Sequence, residues 1–271
     1  HFASQAADGI RSGQQGFISN QSNSSILPTR KIGGTAKNGS GGGDDWEKNK
    51  ISECSLDLGD WDKLTDNELF EKFKATLDYF CDGDLQNTAN DIFEHFKSNT
   101  GTDFINGVLN DNIKATEQYE KLKENVRTNL EAQLIKYKGD ISKLNIQIPS
   151  GPNFNAGAVN LVYNERMLGL KTLVGGTQGV DIHLENFNDD KANRRYSGVF
   201  EITIYDDFGV SCSDVINALN TCSSNIIKKV YNSVFGNPCT GIKAMWILQH
   251  LRGYKPFRTK MKFKYEFKLS Y

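Results

Sequence analysis

The spacing of hydrophobic residues changes near the middle of the chain. Between residues 60 and 140 apolar side chains recur every three or four positions, which is typical of amphipathic helices. The first helix is predicted to begin at the capping box Thr65-Asp66-Asn67-Glu68, in which two side chains each accept from the other residue's backbone N–H. The apolar stripes of this helix and of two later helices are Leu69, Phe73, Leu77 and Phe80; Thr88, Ile92, Phe93 and Phe96; and Leu122, Val126, Leu130 and Leu134.

From about residue 145 apolar and polar residues alternate instead. Three segments show this alternation, which predicts half-buried antiparallel strands. Their apolar members are Val180, Ile182 and Leu184; Phe200, Ile202 and Ile204; and Met261, Phe263, Tyr265, Phe267 and Leu269. We also predict a short extended segment at Ile146–Ile148 and a strand over residues 161–174 with a bend at Gly169.

Two late helices are predicted between the last two of these strands. One begins at a second capping box, Ser211-Cys212-Ser213-Asp214, and the other is centred on Trp246 in an apolar run. Trp246 is expected to pack on the apolar face of the sheet. The predicted fold class is therefore α+β, with N-terminal helices followed by a mainly antiparallel sheet packed against two late helices.

The first 50 residues differ in composition from the rest of the chain. They are rich in Gly, Ser, Asn and Gln, and such a segment buries too little apolar surface to offset the entropy of ordering. We predict that residues 1–55 are a flexible linker or arm outside the core. Its apolar residues Phe17, Ile18, Ile26 and Leu27 could attach the arm to the domain. Residues 56–271 would then form the domain, with a helical part at 60–140 and a sheet part at 145–271.

Charge and cysteine content narrow the choice of partners only slightly. The formal net charge is -1, so nucleic acid is not expected as a partner, and any attraction to a membrane must be local. The number of cysteines is odd and no CxxC is present, which favours free, buried thiols over a zinc site. A Cys212–Cys222 bridge is the alternative. The chain starts at His1 without a Met, and we interpret it as a piece or a processed tail of a longer protein.

Three segments together resemble a known bacterial family. The early one is Asp91-Ile92-Phe93-Glu94-His95-Phe96-Lys97-Ser98-Asn99-Thr100-Gly101-Thr102-Asp103-Phe104, followed by Val108-Leu109-Asn110. The middle one is Val174-Gly175-Gly176-Thr177-Gln178-Gly179 and then Tyr205-Asp206-Asp207-Phe208-Gly209-Val210. The last is Trp246-Ile247-Leu248-Gln249-His250 with Tyr254-Lys255-Pro256-Phe257. The set is similar to an effector or toxin-tip domain of unknown function with the signatures YDHFG and W-x-LQH…KPF. Asp207 stands where that pattern has His. The first 50 residues resemble the Gly/Ser/Gln-rich junction that precedes the tip of Rhs-type toxins.

This resemblance implies a protein that is secreted or delivered into a target cell. Its expected partners are a delivery or carrier protein and a cognate immunity protein. The resemblance does not decide whether the domain is an enzyme, and it names no cofactor.

The first candidate site pairs Asp206 with His250, and Tyr205 stands beside Asp206 in the sequence. A carboxylate that orients an imidazole is a common way to fix a general base, which would suit a hydrolase. The alternative is structural, because Asp206 could bond the backbone of the following turn, and Gln249 and His250 could cap carbonyls at the C-terminus of their helix. Gln249, Arg252 and Lys255 in the same segment are candidate binding residues.

The second candidate site lies on the polar side of the predicted sheet. Asp181, His183 and Glu185 share one face of a strand, since side chains alternate, and Glu201 could join them from a neighbouring strand. Such a set could hold a divalent metal or act as a carboxylate acid/base pair. An ordinary solvated face with cross-strand charge pairs is the alternative. The basic strand at residues 258–271 could likewise meet phosphates or simply protect a sheet edge.

Three classes of function stay open at this point. One is a hydrolase that uses these residues, and another is a non-enzymatic effector that binds a target or enters a membrane through the Phe residues of the early helices. The third is a structural cargo or adaptor domain.

Overall fold

The computed structural model describes residues 27–35, 56, 58–154, 165–223 and 240–271. Five strands in these ranges form one sheet. They are β1 (Arg30–Thr35), β2 (Ile146–Ile148), β3 (Gly179–Asp190), β4 (Arg195–Phe208) and β5 (Phe257–Ser270). The helices are α1 (Asp66–Phe80), α2 (Asp84–Lys97), α3 (Gly107–Lys114), α4 (Glu117–Lys136), α5 (Glu165–Leu173), α6 (Cys212–Ser223) and α7 (Thr240–Leu251). Short 3₁₀ helices occupy Gly59–Lys63 and Ile141–Lys143.

The sheet has the strand order β2–β1–β3–β4–β5 and is mostly antiparallel. Only β1 and β2 pair in parallel, while β3, β4 and β5 form an antiparallel meander in which Val180, Ile204 and Met261 lie side by side. This confirms the predicted α+β class, with early helices, a mainly antiparallel sheet and the late helices α6 and α7 between β4 and β5.

The two faces of the sheet carry different side chains, because residues alternate along each strand. The core face is formed by Val180, Ile182, Leu184, Phe200, Ile202, Ile204, Asp206, Phe208, Phe257, Thr259, Met261, Phe263, Tyr265 and Phe267. The polar face is formed by Asp181, His183, Glu185, Glu201, Thr203, Tyr205, Asp207, Arg258, Lys260, Lys262, Lys264 and Lys268. Asp206 is therefore a carboxyl group placed among core residues.

Helix starts and apolar stripes agree with the sequence prediction. The side chain of Thr65 accepts from the Glu68 N–H, and the Glu68 carboxylate accepts from the Thr65 N–H. At α6 the Ser211 hydroxyl and the Asp214 carboxylate make the same reciprocal pair. Trp246 is buried in the core, and α7 makes most of its contacts with α1 and α6, so the predicted packing of Trp246 on the sheet face of Phe200 and Phe263 stays a prediction.

The first 50 residues contribute one strand to the sheet, contrary to the prediction that they lie outside the core. Ile32 of β1 is only 1% exposed, and β1 lies between β2 and β3. A Cβ at Gly33 would lie 2.1 Å from the carbonyl oxygen of Ile146, so the glycine permits close approach of the two strands. Residues 1–26 and 36–55 lie outside the described ranges, and the boundary at residue 55 stays a prediction.

The predicted strand at residues 161–174 is wrong in its described part, which is helix α5. Glu165-Arg166-Met167-Leu168 are all good helix formers, and Leu170 and Leu173 are buried at a spacing of three. Gly169 lets α5 approach α2, since a Cβ there would lie 2.6 Å from the side chain of Leu85. The short apolar run is compatible with the spacing of a strand and with that of a helix, and packing against α2 favours the helix.

The cysteine prediction is only partly correct. Cys81 is a free and buried thiol, and burial raises its pKa to about 12. Cys212 is instead disulfide-bonded. The side chains of Cys54, Cys222 and Cys239 lie outside the described part of the chain, so the predicted pairing with Cys222 stays a prediction.

Candidate functional site

Parts of the three segments that carry the family resemblance meet at one corner of the fold. The rings of Phe208 and Phe257 stack at 5.0 Å, and the ring of Phe96 lies 5.9 Å from that of Tyr254. The backbone N–H of Lys255 donates to Oδ1 of Asn99 at 2.7 Å. We call this region, residues 95–104, 205–210 and 246–257, the motif corner.

Two neighbouring side chains of α7 bond the backbone N–H and the backbone carbonyl of Val210. Oε1 of Gln249 accepts from the Val210 N–H at 2.9 Å, and Nε2 of His250 lies 2.8 Å from the Val210 carbonyl oxygen. A carbonyl oxygen can only accept, so Nε2 of His250 carries a hydrogen in this contact. The Gln-His pair therefore fixes the turn after β4 to the end of α7.

Asp206 does not form the predicted dyad with His250. The carboxyl group is on the core face, 8% exposed, directly opposite Thr259 of β5. In the described part of the chain no hydrogen bond joins it to His250, whose ring is directed to Val210. Burial, reinforced by the charges of Asp207 and Asp214, holds the pKa of Asp206 well above its usual value.

Tyr205 is separated from Asp206 by the sheet itself, because adjacent strand residues point to opposite faces. Its ring occupies the space above Gly179, where a Cβ would lie 2.2 Å from the ring. The guanidinium of Arg258 lies 4.9 Å from the ring centre and donates to Oδ1 of Asp207 at 2.8 Å. The predicted catalytic residues Tyr205, Asp206 and His250 are thus not brought to one point.

On the polar face the two carboxylates among the predicted metal ligands are engaged by lysines, whereas Nδ1 of His183 is buried without a hydrogen-bond partner in the described structure. Lys31 pairs with Asp181 at 2.5 Å, and Lys264 lies 2.7 Å from Glu185 and 3.5 Å from Glu201. Among the described residues no group of three or more His, Cys, Asp and Glu side chains could hold a metal ion. The geometry therefore does not support the proposed metal site at Asp181, His183 and Glu185, and favours the charge-paired face.

Arg252 and Lys255 also contribute to the fold. Arg252 donates to the carbonyl oxygens of Asp62 at 2.7 Å and Leu64 at 3.2 Å, and its Nε lies 3.3 Å from Asp66. It therefore ties the end of α7 to the start of α1. Lys255 is held through its backbone, and its side chain is exposed beside Gly101.

His95 is a corner residue that the sequence analysis did not single out. Its Nε2 lies 2.8 Å from the carbonyl oxygen of Thr102, and its ring meets that of Phe257 edge-on at 4.5 Å. The sequence signal was its place within the first motif segment. His95 repeats the arrangement of His250, a ring nitrogen bonded to a backbone carbonyl.

None of the described helices is long and apolar enough to cross a bilayer. Phe70, Phe73, Phe93 and Phe96 of α1 and α2 are buried, so they present no apolar face for insertion. An open groove of about 380 Å³ between α1 and α2 and another of about 330 Å³ along β1 are lined by none of the predicted site residues.

No protein-family model matches the sequence, and comparison with curated proteins and with solved structures finds no match. The resemblance of the three motif segments therefore supports a proposal about function and nothing firmer.

Proposed function

We propose that the chain is a bacterial toxin or effector domain that acts on a target cell by binding, without using His250 as a catalytic base. A secretion system would deliver it, or it would form the C-terminal tip of an Rhs-type carrier. The single observation that carries the proposal is the joining of the motif segments into one corner through the Gln249, His250 and Val210 contacts.

The contacts within the corner explain why these residue types occur together. Gln249 supplies an acceptor, His250 a donor, and Gly209 the space against Gln249 and Pro256. The acceptor of Gln249 and the donor of His250 are both used on the backbone of another motif segment. The signatures are then best understood as the means by which the domain holds its shape, and the target is bound elsewhere.

Secretion or delivery also agrees with the sulfur chemistry. Cys212 is disulfide-bonded, and disulfides persist mainly in oxidising compartments and outside the cell. A carrier protein and a neutralising immunity protein are the partners that this proposal requires.

A hydrolase is the second candidate, and one observation favours it. The Val210 carbonyl fixes the hydrogen of His250 on Nε2, which leaves Nδ1 as a base in a defined orientation. In that case the imidazole would act without Asp206, because the two side chains are not joined.

Toxicity in a susceptible bacterial cell separates the two candidates when His250→Gln is compared with His250→Ala. Glutamine can still donate to the Val210 carbonyl but cannot act as a base. Under the binding proposal His250→Gln keeps its toxicity, while His250→Ala loses about 1–3 kcal/mol of stability and is toxic only as far as it folds. Thermal melts by circular dichroism are recorded on the same samples.

His95→Gln is the matched control, because His95 makes the same kind of bond to a backbone carbonyl. It should be folded and toxic. A folded His250→Gln protein whose activity has fallen by about 10²–10⁴ would instead establish the hydrolase. A wild-type chain that harms no cell to which it is delivered would contradict the effector proposal itself.

A further inference from the structure

The last strand has an outer edge that the described chain covers only at its beginning. β5 pairs along its whole length with β4 on one side. On the other side the N–H of Phe104 donates to the Arg258 carbonyl at 2.8 Å, and the Phe104 carbonyl accepts from the Lys260 N–H at 2.9 Å. No other described segment pairs with the outer side of β5.

The contacts of Phe104 fix which backbone groups face outward. Successive residues of a strand direct their N–H and C=O to opposite sides. Since Arg258 and Lys260 face outward, so do Lys262, Lys264, Glu266 and Lys268. These residues carry N–H and C=O groups free to bond an additional strand, and an edge of this kind is a template for pairing with another chain.

The side chains along this edge specify what would fit. Lys262, Lys264, Glu266 and Lys268 are exposed on the polar face, three lysines to one glutamate, whereas Phe263, Tyr265 and Phe267 lie on the core face. Lys268 makes no ion pair within the described ranges, and Lys262 has only a 3.8 Å contact with Glu201. An added strand would therefore lie beside lysines on one side and apolar rings on the other.

Apolar side chains are also exposed where Phe104 leaves the edge. Ile105 is 59% exposed and Val108 is 41% exposed, and α3, which contains Val108, packs beside β5. The apolar side chains of an added strand could therefore pack against Ile105 and Val108 as well as against Phe104.

We propose that the outer edge of β5 from Lys262 to Lys268 binds an extended strand of a partner protein in which acidic residues alternate with apolar ones. Backbone hydrogen bonds would supply affinity, and the alternating side chains would supply specificity. A second copy of β5 is a less favourable occupant than an acidic strand, because three of the four polar-face residues from Lys262 to Lys268 are lysines and like charges directly opposite each other destabilise a strand pair. The same lysines that disfavour a copy of the chain thus favour an acidic strand.

This docking edge goes beyond the proposed function, since it is a property of the sheet and needs no toxicity to be observed. The test uses the full chain and synthetic extended peptides in which valine alternates with glutamate or with lysine. A third peptide has the same composition as the valine–glutamate peptide, but all its valines come before all its glutamates. Binding is measured by fluorescence anisotropy, and the site by amide chemical shifts in NMR spectra.

The alternating acidic peptide should bind and shift the amides of Lys262, Lys264 and Lys268, and the other two peptides should not. Lys268→Glu should weaken binding by about tenfold, because an attraction becomes a repulsion. Lys143→Glu is the matched control at the opposite edge of the sheet, next to β2, and should leave binding unchanged.

Lys262→Pro tests the backbone contribution. Its N–H faces outward, so proline removes a donor to the partner without removing one to β4, and edge strands tolerate such a proline. It should abolish binding. If it fails to fold, the Lys268→Glu comparison still decides. Equal binding of the acidic and basic peptides, shifts elsewhere on the protein, or a β5-mediated dimer in sedimentation would overturn the proposal.

Discussion

The motif corner and the polar face of the sheet both gather polar side chains, but they use them differently. In the corner Gln249 is 4% exposed, and it and His250 satisfy the backbone N–H and the backbone carbonyl of the buried residue Val210. On the polar face Lys264 reaches two carboxylates through a side chain that is 55% exposed. A buried polar group that loses its partner costs far more than an exposed ion pair that is broken.

The comparison implies a hierarchy among residues that look equally interesting in the sequence. Those whose partners are backbone atoms are constrained by the fold, and those whose partners are other exposed charges can be replaced. Surface charges are therefore the place where binding specificity can change without loss of structure, and the three predictions below measure this difference.

The largest effect is expected for Gln249→Met, which keeps the size of the side chain and removes its acceptor. The Val210 N–H is then left buried without a partner, which should destabilise the protein by about 1–3 kcal/mol. The free energy of unfolding is measured by urea denaturation. Gln249→Glu, which keeps an acceptor oxygen, shows whether the loss of the hydrogen bond or the loss of polarity is responsible.

An unchanged midpoint in Gln249→Met would mean that the corner does not depend on this bond. The Nε2 atom of Gln249 is buried and has no hydrogen-bond partner in the described structure. Burying these unpaired donors costs free energy, and Gln249→Met removes that cost together with the hydrogen bond. We therefore expect a loss of stability near the lower end of the range of about 1–3 kcal/mol.

The sequence predicted the elements better than the contacts between them. Capping boxes such as Thr65–Glu68 and the alternation in β4 and β5 are local patterns, and both are present in the structure. β1 escaped prediction because its two glycines resemble a linker, although Gly33 is required by the neighbouring backbone of Ile146. The hydrogen bonds from Gln249 and His250 to the backbone of Val210 could not be predicted, because a backbone partner can belong to any residue type and leaves no pattern in the sequence.

The candidate sites show the same limit. Alternation correctly placed Asp181, His183 and Glu185 on one face, but the lysines that engage these carboxylates come from β1 and β5, which are remote in sequence. Asp206 and His250 were paired in the prediction by chemistry alone. Asp206 points to the core face because of its position in the alternation of β4. Its partner across the sheet, Thr259 of β5, is known only from the register of the two strands in the structure.

A smaller change, of opposite sign, is expected for Asp206→Asn. The pKa of the folded-state carboxyl is raised by burial, whereas the unfolded chain titrates near the ordinary value. The native state therefore binds more protons between these two pKa values, and its stability falls as pH rises through this window. A buried acid limits its cost by keeping its proton, so the gain from asparagine should be modest.

Melting temperatures of wild type and Asp206→Asn across the acid and neutral range measure this gain. The variant should be the more stable protein at neutral pH, and the difference should shrink as pH falls toward about 4, the ordinary pKa of an aspartate. Because only the difference is used, the titration of the exposed ion pairs cancels. A difference that grows on acidification would mean that Asp206 is stabilised in its charged form.

The smallest effect is expected on the polar face, for Lys264→Met. Lys264 contacts Glu185 and Glu201, and the hydrogen bond with Glu185, the leading cause, raises the pKa of the lysine. Water and salt compete for both partners, because the ammonium group is exposed, and methionine retains the apolar stem of the side chain. The melting temperature should change by no more than about 2 °C, and less at high salt.

A much larger loss would show that Glu201, only 8% exposed, depends on this lysine as a buried charge depends on its partner. The polar face would then be part of the constrained structure, and Lys264 would belong with Gln249 in the hierarchy. A small loss leaves this lysine and its neighbours on β5 available for recognition, which is the condition that the proposed docking edge requires.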